Sequence, residues 1–208
     1  MHSEITPAGQ EERSFIEIAR RAQIIECAIN AIAELGYAKA SLAEIAKRAG
    51  VSKGVISYHF AGKGELMQQV VSTVVEKAGA LMLPRIYAEH RATGMLRAYI
   101  ESNLEFLDSH RKHIMALMNI SGGAARSEDG KPMIDLTLTF EPAVQALENL
   151  LRSGQERGEF REFSTRVMAV TIRNAIDAVS LQLAVYPDLD LKTYANELAT
   201  LFDVATRK

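Results

Sequence analysis

Residues 41–66 read SLAEIAKRAGVSKGVISYHFAGKGEL, and the interpretation of the whole chain starts from this stretch. Ser41 is followed three residues later by Glu44, which is the capping-box spacing at the start of a helix. Apolar residues then recur at helical spacing until Gly50, a residue typical of the left-handed position that ends a helix. Ser52 can cap a second helix that runs to Phe60. The stretch therefore predicts two short helices joined by a tight turn.

Two short helices joined by a glycine-containing turn form the helix-turn-helix pattern, whose second helix lies in the major groove of DNA. The exposed face of the second helix would carry hydrogen-bonding side chains, and Gly54 would allow close approach to the sugar-phosphate backbone. The stretch thus predicts a DNA-binding surface. Its candidate residues are Ser41, Ser52, Lys53, Gly54, Ser57, Tyr58, His59 and Lys63.

The charge of this region supports the same interpretation. Residues 39–63 contain five basic residues and one acidic residue, a net charge of +4 in a chain whose net charge is −2. Local positive charge neutralises phosphates and releases counterions. The near-neutral balance of the whole chain argues against binding by bulk charge, so any DNA contact must come from this patch. Charge alone would equally fit a solvated surface stretch, and the two-helix pattern is what favours DNA.

These residues also carry a family resemblance. The motif AGVSKG at 49–54, followed by YHF at 58–60, Lys63 and Leu66, resembles the DNA-binding domain of the tetracycline-repressor (TetR/AcrR) family. The resemblance covers roughly residues 14–70, and beyond them it rests on length, helical pattern and the C-terminal segment. It implies a homodimeric repressor that a small ligand in its C-terminal domain releases from operator DNA. Ser57 and Gly64 depart from the family pattern, in which tyrosine and an acidic or polar residue are frequent there.

Periodicity along the chain predicts an all-α protein, since neither a strand pattern nor an internal repeat is visible. We expect an N-terminal three-helix helix-turn-helix domain over residues 1–62, which includes a polar tail over 1–12, and a C-terminal helical domain for ligand binding and dimerisation over 63–208. Pro84 should end or bend the helix that begins at Lys63, and Pro142 should kink or split its own helix. The predicted helices outside the motif span residues 13–35, 63–83, 94–110, 111–120, 133–155, 165–185 and 190–206.

The first of these helices should pack Ile18, Ala22, Ile25, Ile29 and Ile32 against the two short ones. Outside that face, Arg20 and Arg21 could either reach phosphates or be solvated. The helix from Lys63 would join the two domains, so that movement in the second could reposition the recognition helix.

The helix over residues 94–110 carries an aliphatic stripe, a charged stripe and a third arc of mixed polarity. An ordinary surface helix needs only one apolar and one polar face. The third arc, together with nearby methionines, is typical of an adaptable pocket for a small apolar molecule with a few polar groups, although a packing seam has the same composition. The candidate ligand-binding residues are Met95, Tyr99, Asn103, Phe106, His110, Met115, Met118 and Phe140.

The last two helices, over 165–185 and 190–206, are apolar around much of their circumference. The resemblance implies that they pair with the same helices of a second subunit in a four-helix interface. We expect Ala175 and Val179 to lie in that interface.

Composition excludes several other classes of protein. The single cysteine, Cys27, excludes an internal disulfide and a cysteine-based zinc site, and we interpret it as a core residue. No apolar run approaches the length of about 20 residues that spans a bilayer, and the N-terminus lacks a hydrophobic signal segment, so we expect a cytoplasmic protein without membrane contact.

The rival functions are an enzyme and an architectural DNA-binding protein without a ligand. No paired carboxylates or nucleophile–base pair assemble, so we expect neither catalysis nor a cofactor. His110 and His113 can share a helix face, but a third metal ligand at helical spacing is missing, and we expect no metal site. About two thirds of the chain lies outside the DNA-binding motif, more than dimerisation needs. The sequence thus favours a ligand-responsive regulator over an architectural protein.

Overall fold

The structure, a computed structural model, describes residues 7–123 and 137–208. Within these ranges the chain forms nine helices, and its one β-type feature is an isolated antiparallel bridge between Phe160 and Arg207. The prediction of an all-α protein is therefore confirmed. In chain order the helices are α1 (Pro7–Lys39), α2 (Leu42–Ala49), α3 (Lys53–His59), α4 (Lys63–Ala88), α5 (Ala92–Ser109), α6 (Arg111–Gly123), α7 (Thr137–Glu156), α8 (Thr165–Val185) and α9 (Leu191–Thr206).

The helices form two compact units. The first contains the described residues within 1–73 and 115–134, and the second contains residues 74–114 and the described residues within 135–208. The first unit has a core of apolar side chains from α1, α2, α3 and the start of α4. Its buried members include Ile24, Ile29, Ile32, Ile45, Ile56, Phe60, Leu66 and Met67.

Helix α1 differs from its prediction at both ends. It begins at Pro7, within the expected tail, and continues to Lys39 with an interruption at Gly36, whose backbone has φ 78° and ψ 164°. Ile18 is 65% exposed, so the apolar face of α1 begins only at Ile24. The reason is length: at about 1.5 Å per residue, a helix of 33 residues extends far beyond α2 and α3, which have 8 and 7 residues.

The second unit is built around α5, which packs against α7, α8 and α9, while α7 also packs against α8. Its core joins apolar side chains from all of these helices. They include Leu96, Ile100, Leu104, Leu147, Leu151, Ile172, Ile176, Val179, Leu198 and Phe202. The predicted caps of α8 and α9 are confirmed, because Ser164 accepts the N–H of Val167 and Asp190 accepts those of Lys192 and Thr193.

Two prolines lie inside helices. Helix α4 continues past Pro84 to Ala88, so the predicted end near residue 83 is wrong, and the alternative that Pro84 bends the helix stays a prediction. Pro84 removes one backbone hydrogen bond near the end of the helix, but Met82 and Ile86 on either side of it are buried in the second core, and their burial offsets that loss. Pro142 lies within α7, which it does not split. The predicted start of this helix at residue 133 lies outside the described residues.

Candidate nucleic-acid interface and effector region

Helices α2 and α3 are placed by short-range contacts. The Ser41 hydroxyl accepts the N–H of Glu44 at 3.2 Å, and the Ser52 hydroxyl accepts that of Val55 at 3.3 Å. Between them, Gly50 adopts φ 66° and ψ 29°, and the N–H of Val51 donates to Ala46 O at 3.0 Å. A left-handed glycine followed by this bond closes the helix end and sets the direction of the turn. The predicted helix-turn-helix geometry is thus present.

Helix α3 has one buried and one exposed face. Ile56 is fully buried, and Phe60 directly after the helix is 2% exposed. On the other side Lys53, Gly54 and Ser57 are exposed, and Tyr58 has 74% of its surface accessible. His59 is half-buried with its ring edge-on to Tyr58. The exposed face therefore presents an ammonium, a hydroxyl and a phenol, which are groups that can donate to phosphates and base edges, and the phenol of Tyr58 donates to Glu17 Oε1 at 3.2 Å in the absence of DNA.

Two of the five basic residues counted above have partners within the protein. Arg48 pairs with Glu34 at 2.7 Å and with Glu44 at 2.9 Å. Lys63 donates to Tyr37 O at 2.6 Å and lies 4.2 Å from the centroid of the Tyr37 ring, and burial lowers the pKa of its ammonium. Contact between Lys63 and DNA stays a prediction. The exposed basic residues of the region are Lys39, Lys47 and Lys53.

The side chain of Arg21 contacts other residues of the protein, whereas the sequence suggested either a phosphate contact or a solvated side chain. Its guanidinium donates to His59 O at the end of α3, pairs with Glu65 at 3.1 Å and lies 4.3 Å from the centroid of the Phe60 ring. Glu65 also accepts the N–H of Ala61 at 2.7 Å, so its pKa is lowered by that N–H and by Arg21. Arg21 therefore fixes the junction between α3 and α4. Its partners lie 38 or more residues away along the chain, and no local pattern shows them.

The predicted arc of α5 forms a polar cluster with α8. Arg173 Nη1 donates to Tyr99 Oη at 3.1 Å and to Asn103 Oδ1 at 3.0 Å, and Asn103 Nδ2 donates to Tyr99 O at 2.8 Å. Nη2 of Arg173 pairs with Asp177 at 2.6 Å. Burial alone would lower the pKa of Arg173, but Tyr99 and Asp177 outweigh burial and raise that pKa, so the guanidinium is charged. Arg173 and Asp177 were absent from the predicted site.

The other predicted ligand-binding residues are divided between the two units. Phe106 is 3% exposed and stacks on His110 with ring centroids 4.3 Å apart, and Met95 is half-buried beside the second core. Phe140 is 37% exposed on α7. Met115 and Met118 belong to the first unit. The structure thus places Tyr99, Asn103 and Phe106 on α5 and His110 directly after it, and the joint site stays a prediction.

A groove of about 510 Å³ lies elsewhere on α5, where that helix meets α9. It follows the charged stripe of α5 and not the mixed arc. Its lining combines the carboxylates of that stripe with side chains of α9, namely Glu101, Leu104, Glu105, Asp108, Leu191, Lys192, Ala195 and Asn196. Each of the three carboxylates has an arginine partner, so the groove has no excess of free negative charge.

The described part of the chain contains neither a cluster of metal-binding side chains nor a membrane-spanning helix. In residues 7–123 and 137–208, no three His, Cys, Asp or Glu side chains come close enough to hold a metal ion. None of the helices in the same ranges is long and apolar enough to cross a membrane. Cys27 is half-buried, and burial followed by the charge of Glu26 raises the pKa of its thiol.

Comparison with known proteins identifies the first unit and the fold. Residues 24–70 match the model of the family described as bacterial regulatory proteins, tetR family. The chain is 34% identical over 137 residues to the HTH-type transcriptional regulator BetI 1 of Chromohalobacter salexigens, a match that spans 63% of this chain and 58% of that regulator. Less than two thirds of that relative is therefore matched.

Solved structures share the fold over nearly the whole chain. The transcriptional regulator FadR of Bacillus subtilis in complex with stearoyl-CoA has a TM-score of 0.74 at 23% identity, over 86% of this chain and 96% of that one. The ketosteroid transcriptional regulator KstR2 of Mycobacterium tuberculosis has a TM-score of 0.70 at 17% identity, over 91% and 95%. Residues 24–70 therefore belong to the tetR family of bacterial regulatory proteins, and nearly the whole chain has the fold of these solved regulators.

Proposed function

We propose that this chain is a sequence-specific DNA-binding transcriptional regulator, a homodimeric repressor that a small apolar effector releases from its operator. The observation that carries the proposal is the exposed face of α3, which presents Lys53, Ser57 and Tyr58 beside a rigid turn. A recognition helix reads base edges only when its support holds it in a fixed orientation. Here the caps, the Gly50 turn and Arg21 supply that support.

The test is selection of bound fragments from a random duplex pool, followed by competition between a selected and a scrambled duplex. We expect a roughly palindromic site and a preference of about 10³-fold or more for the selected duplex. Lys53→Ala should weaken binding and flatten the salt dependence by about one unit, because one phosphate contact is lost. Lys192→Ala removes an exposed lysine from α9 and serves as the matched control. Equal affinity for both duplexes would contradict the proposal.

The proposed dimer rests on an uncharged stripe along α8. Val167, Leu181 and Val185 are 65%, 62% and 67% exposed, and the exposed residues Thr171, Asn174 and Ala178 lie between them on the same face at spacings of three and four. On α9, Leu201 and Val204 are 60% and 58% exposed. Several large apolar side chains exposed on one face, with no charged side chain between them, are typical of a subunit interface.

The structure changes the choice of variants that test this dimer. Val179 is fully buried in the second core, so Val179→Arg would unfold the subunit and would not report on an interface. Leu181→Arg places the same charge on the exposed stripe, and Gln145→Arg on the exposed side of α7 is its control. We expect light scattering at micromolar concentration to show monomers for the first variant and dimers for the second. A dimeric Leu181→Arg variant would place the interface elsewhere.

The effector part of the proposal assigns DNA binding to residues 1–62 and ligand binding to 63–208. It is supported by the polar cluster within the otherwise apolar second unit. The FadR structure named above contains stearoyl-CoA, and a small-molecule effector for this chain is proposed on the same fold. An effector that favours one dimer conformation should weaken operator binding roughly 5- to 150-fold. If no compound in a broad screen of the operator complex alters DNA affinity, the architectural alternative would be favoured.

A further inference from the structure

Arg173 is a charged side chain in the interior of the second unit. Its side chain is 18% exposed, and it lies on α8 between Ile172 and Ile176, which are 0% and 1% exposed. Moving a guanidinium out of water is costly, and a buried ion pair is often no more stabilising than an apolar side chain of similar volume. An apolar side chain could therefore join α5 and α8 as well as Arg173 does, whereas recognition of an anionic ligand would require the charge.

The cluster holds more hydrogen-bond donors than the protein uses. Tyr99 Oη accepts from Arg173 and keeps its own hydroxyl hydrogen, for which no acceptor is found in residues 7–123 and 137–208. Nη2 of Arg173 has two hydrogens and a single partner in the same ranges, Asp177. An O–H beside a guanidinium N–H is an arrangement that binds carboxylates.

The counter-charge of Arg173 can be exchanged. Asp177 lies one turn further along the same helix, accepts from both Nε at 3.2 Å and Nη2 at 2.6 Å of Arg173, and has a side chain that is 52% exposed. Because the Asp177 carboxylate is half in water, it can turn into solvent and be hydrated there while another carboxylate accepts from Nε and Nη2 in its place. A monoanion leaves the site neutral after this exchange. A dianion such as a phosphate monoester would leave it negative, beside Asp177.

The surroundings of the cluster are apolar. Tyr99 and Asn103 belong to the same arc of α5 as Met95 and Phe106, which lie one turn away on either side. Phe106 is buried, and Met95 lies against the second core. A charged anchor at one point of an apolar arc fits an amphiphile with a single polar end. We infer that Arg173 and Tyr99, held in place by Asn103, bind the carboxylate of an apolar monocarboxylic acid, which, resting on the proposed function, is the effector.

The test compares acids with neutral compounds of the same skeleton. Binding of octanoate, 1-octanol, 4-phenylbutyrate and 4-phenyl-1-butanol to the full-length protein would be measured by calorimetry or ligand-observed NMR. We expect at least one acid to bind about tenfold more tightly than its alcohol, since a hydrogen bond to a charged group contributes about that factor. Equal binding of acid and alcohol, or binding of neither, would overturn the inference.

Substitutions test whether the preference for acids depends on Arg173 and Tyr99. Arg173→Gln should weaken binding of the acid about tenfold or more and leave binding of the alcohol unchanged. Arg166→Gln is the matched control, because Arg166 lies on the same helix and pairs with Glu141 on the surface at 2.6 Å. Tyr99→Phe removes only the donor hydroxyl and should weaken binding of the acid several-fold, which keeps the inference testable if Arg173→Gln fails to fold. Unchanged acid binding in Tyr99→Phe and in a folded Arg173→Gln would overturn it.

Failure of the inference that the cluster binds a carboxylate can be distinguished from failure of the proposed function. The duplex selection described above uses ligand-free protein. Specific DNA binding without a preference for acids would support the proposed regulator and refute only the inferred carboxylate site. Conversely, binding of an acid by a protein that binds all duplexes equally would support the site and refute its role in a regulator.

Discussion

Residues 41–66 and the pairing of α5 with α8 are stabilised over very different distances along the chain. In the first region, Ser41, Gly50 and Ser52 each act on a backbone group within five residues. In the second, Arg173 contacts Tyr99 and Asn103 across 74 and 70 residues. Local contacts leave a pattern of fixed spacing in the sequence, and long-range contacts do not. The difference explains why the sequence predicted the structure of the first region in detail but not the contacts of the second.

The largest expected effect tests whether the local region is as independent as its sequence pattern indicates. Ile56→Ala in α3 removes a fully buried side chain, and we expect it to lower the free energy of unfolding by about 2–5 kcal/mol and to abolish DNA binding. Ser57→Ala on the exposed face of α3 is the control and should leave stability nearly unchanged. Thermal unfolding followed by circular dichroism would measure both. A small effect of Ile56→Ala would mean that caps and turn alone stabilise α3.

Substitution of Arg21 tests how much the long-range contacts within the first unit contribute. Arg21→Gln removes the bond to His59 O and the stacking on Phe60, and we expect a loss of about 1–2 kcal/mol, since the partly exposed pair with Glu65 contributes little. Affinity for the selected duplex should fall while the salt slope stays unchanged. Arg20→Gln is the neighbouring control, because Arg20 donates to Gln23 on the surface. If the slope falls by about one unit, Arg21 contacts a phosphate instead.

Removal of a helix cap should lower the stability of the protein by the same amount in either unit. Ser52→Ala in the first unit and Ser164→Ala in the second each remove an acceptor for a backbone N–H. We expect each to destabilise the protein by about 1 kcal/mol, measured by urea denaturation. Asp190→Ala should have a similar effect on α9. A cap that matters in only one unit would show that tertiary packing overrides the local signal there.

The smallest expected effect is a dependence on pH. Hydrogen bonds lower the pKa of Glu65, first from the Ala61 N–H, and of Asp190, first from the Thr193 hydroxyl. A lowered pKa means that the ionised form stabilises the folded protein above the unfolded pKa of about 4, and that this contribution is lost as pH falls through the folded pKa. Melting temperatures between pH 7 and 3 should therefore fall less steeply in Glu65→Gln and Asp190→Asn than in the wild type. Identical slopes would contradict the assignment.

Sequence-based prediction of the helices succeeded best where at least one end carried a capping or terminating residue. Helices α2, α3, α8 and α9 have a cap or a terminating glycine or proline, and their predicted bounds agree with the structure within about a residue. Helix α4 was predicted too short, because the penalty for Pro84 is local and the burial of Ile86 that offsets it is tertiary. Ile18 was placed in the core because periodicity shows which face is apolar but not how far the covering helices extend.

The sequence by itself determined the all-α class, the caps, the Gly50 turn and the exposed face of α3, because each follows from interactions within one or two helical turns. Tertiary structure decided which charges are available: Arg48 and Lys63 have partners inside the protein, whereas Lys53 is exposed. It also decided the roles of Arg21 and Arg173. A guanidinium reaches about 6–7 Å from its backbone and has five donors, so its role depends on which distant acceptors the fold brings near.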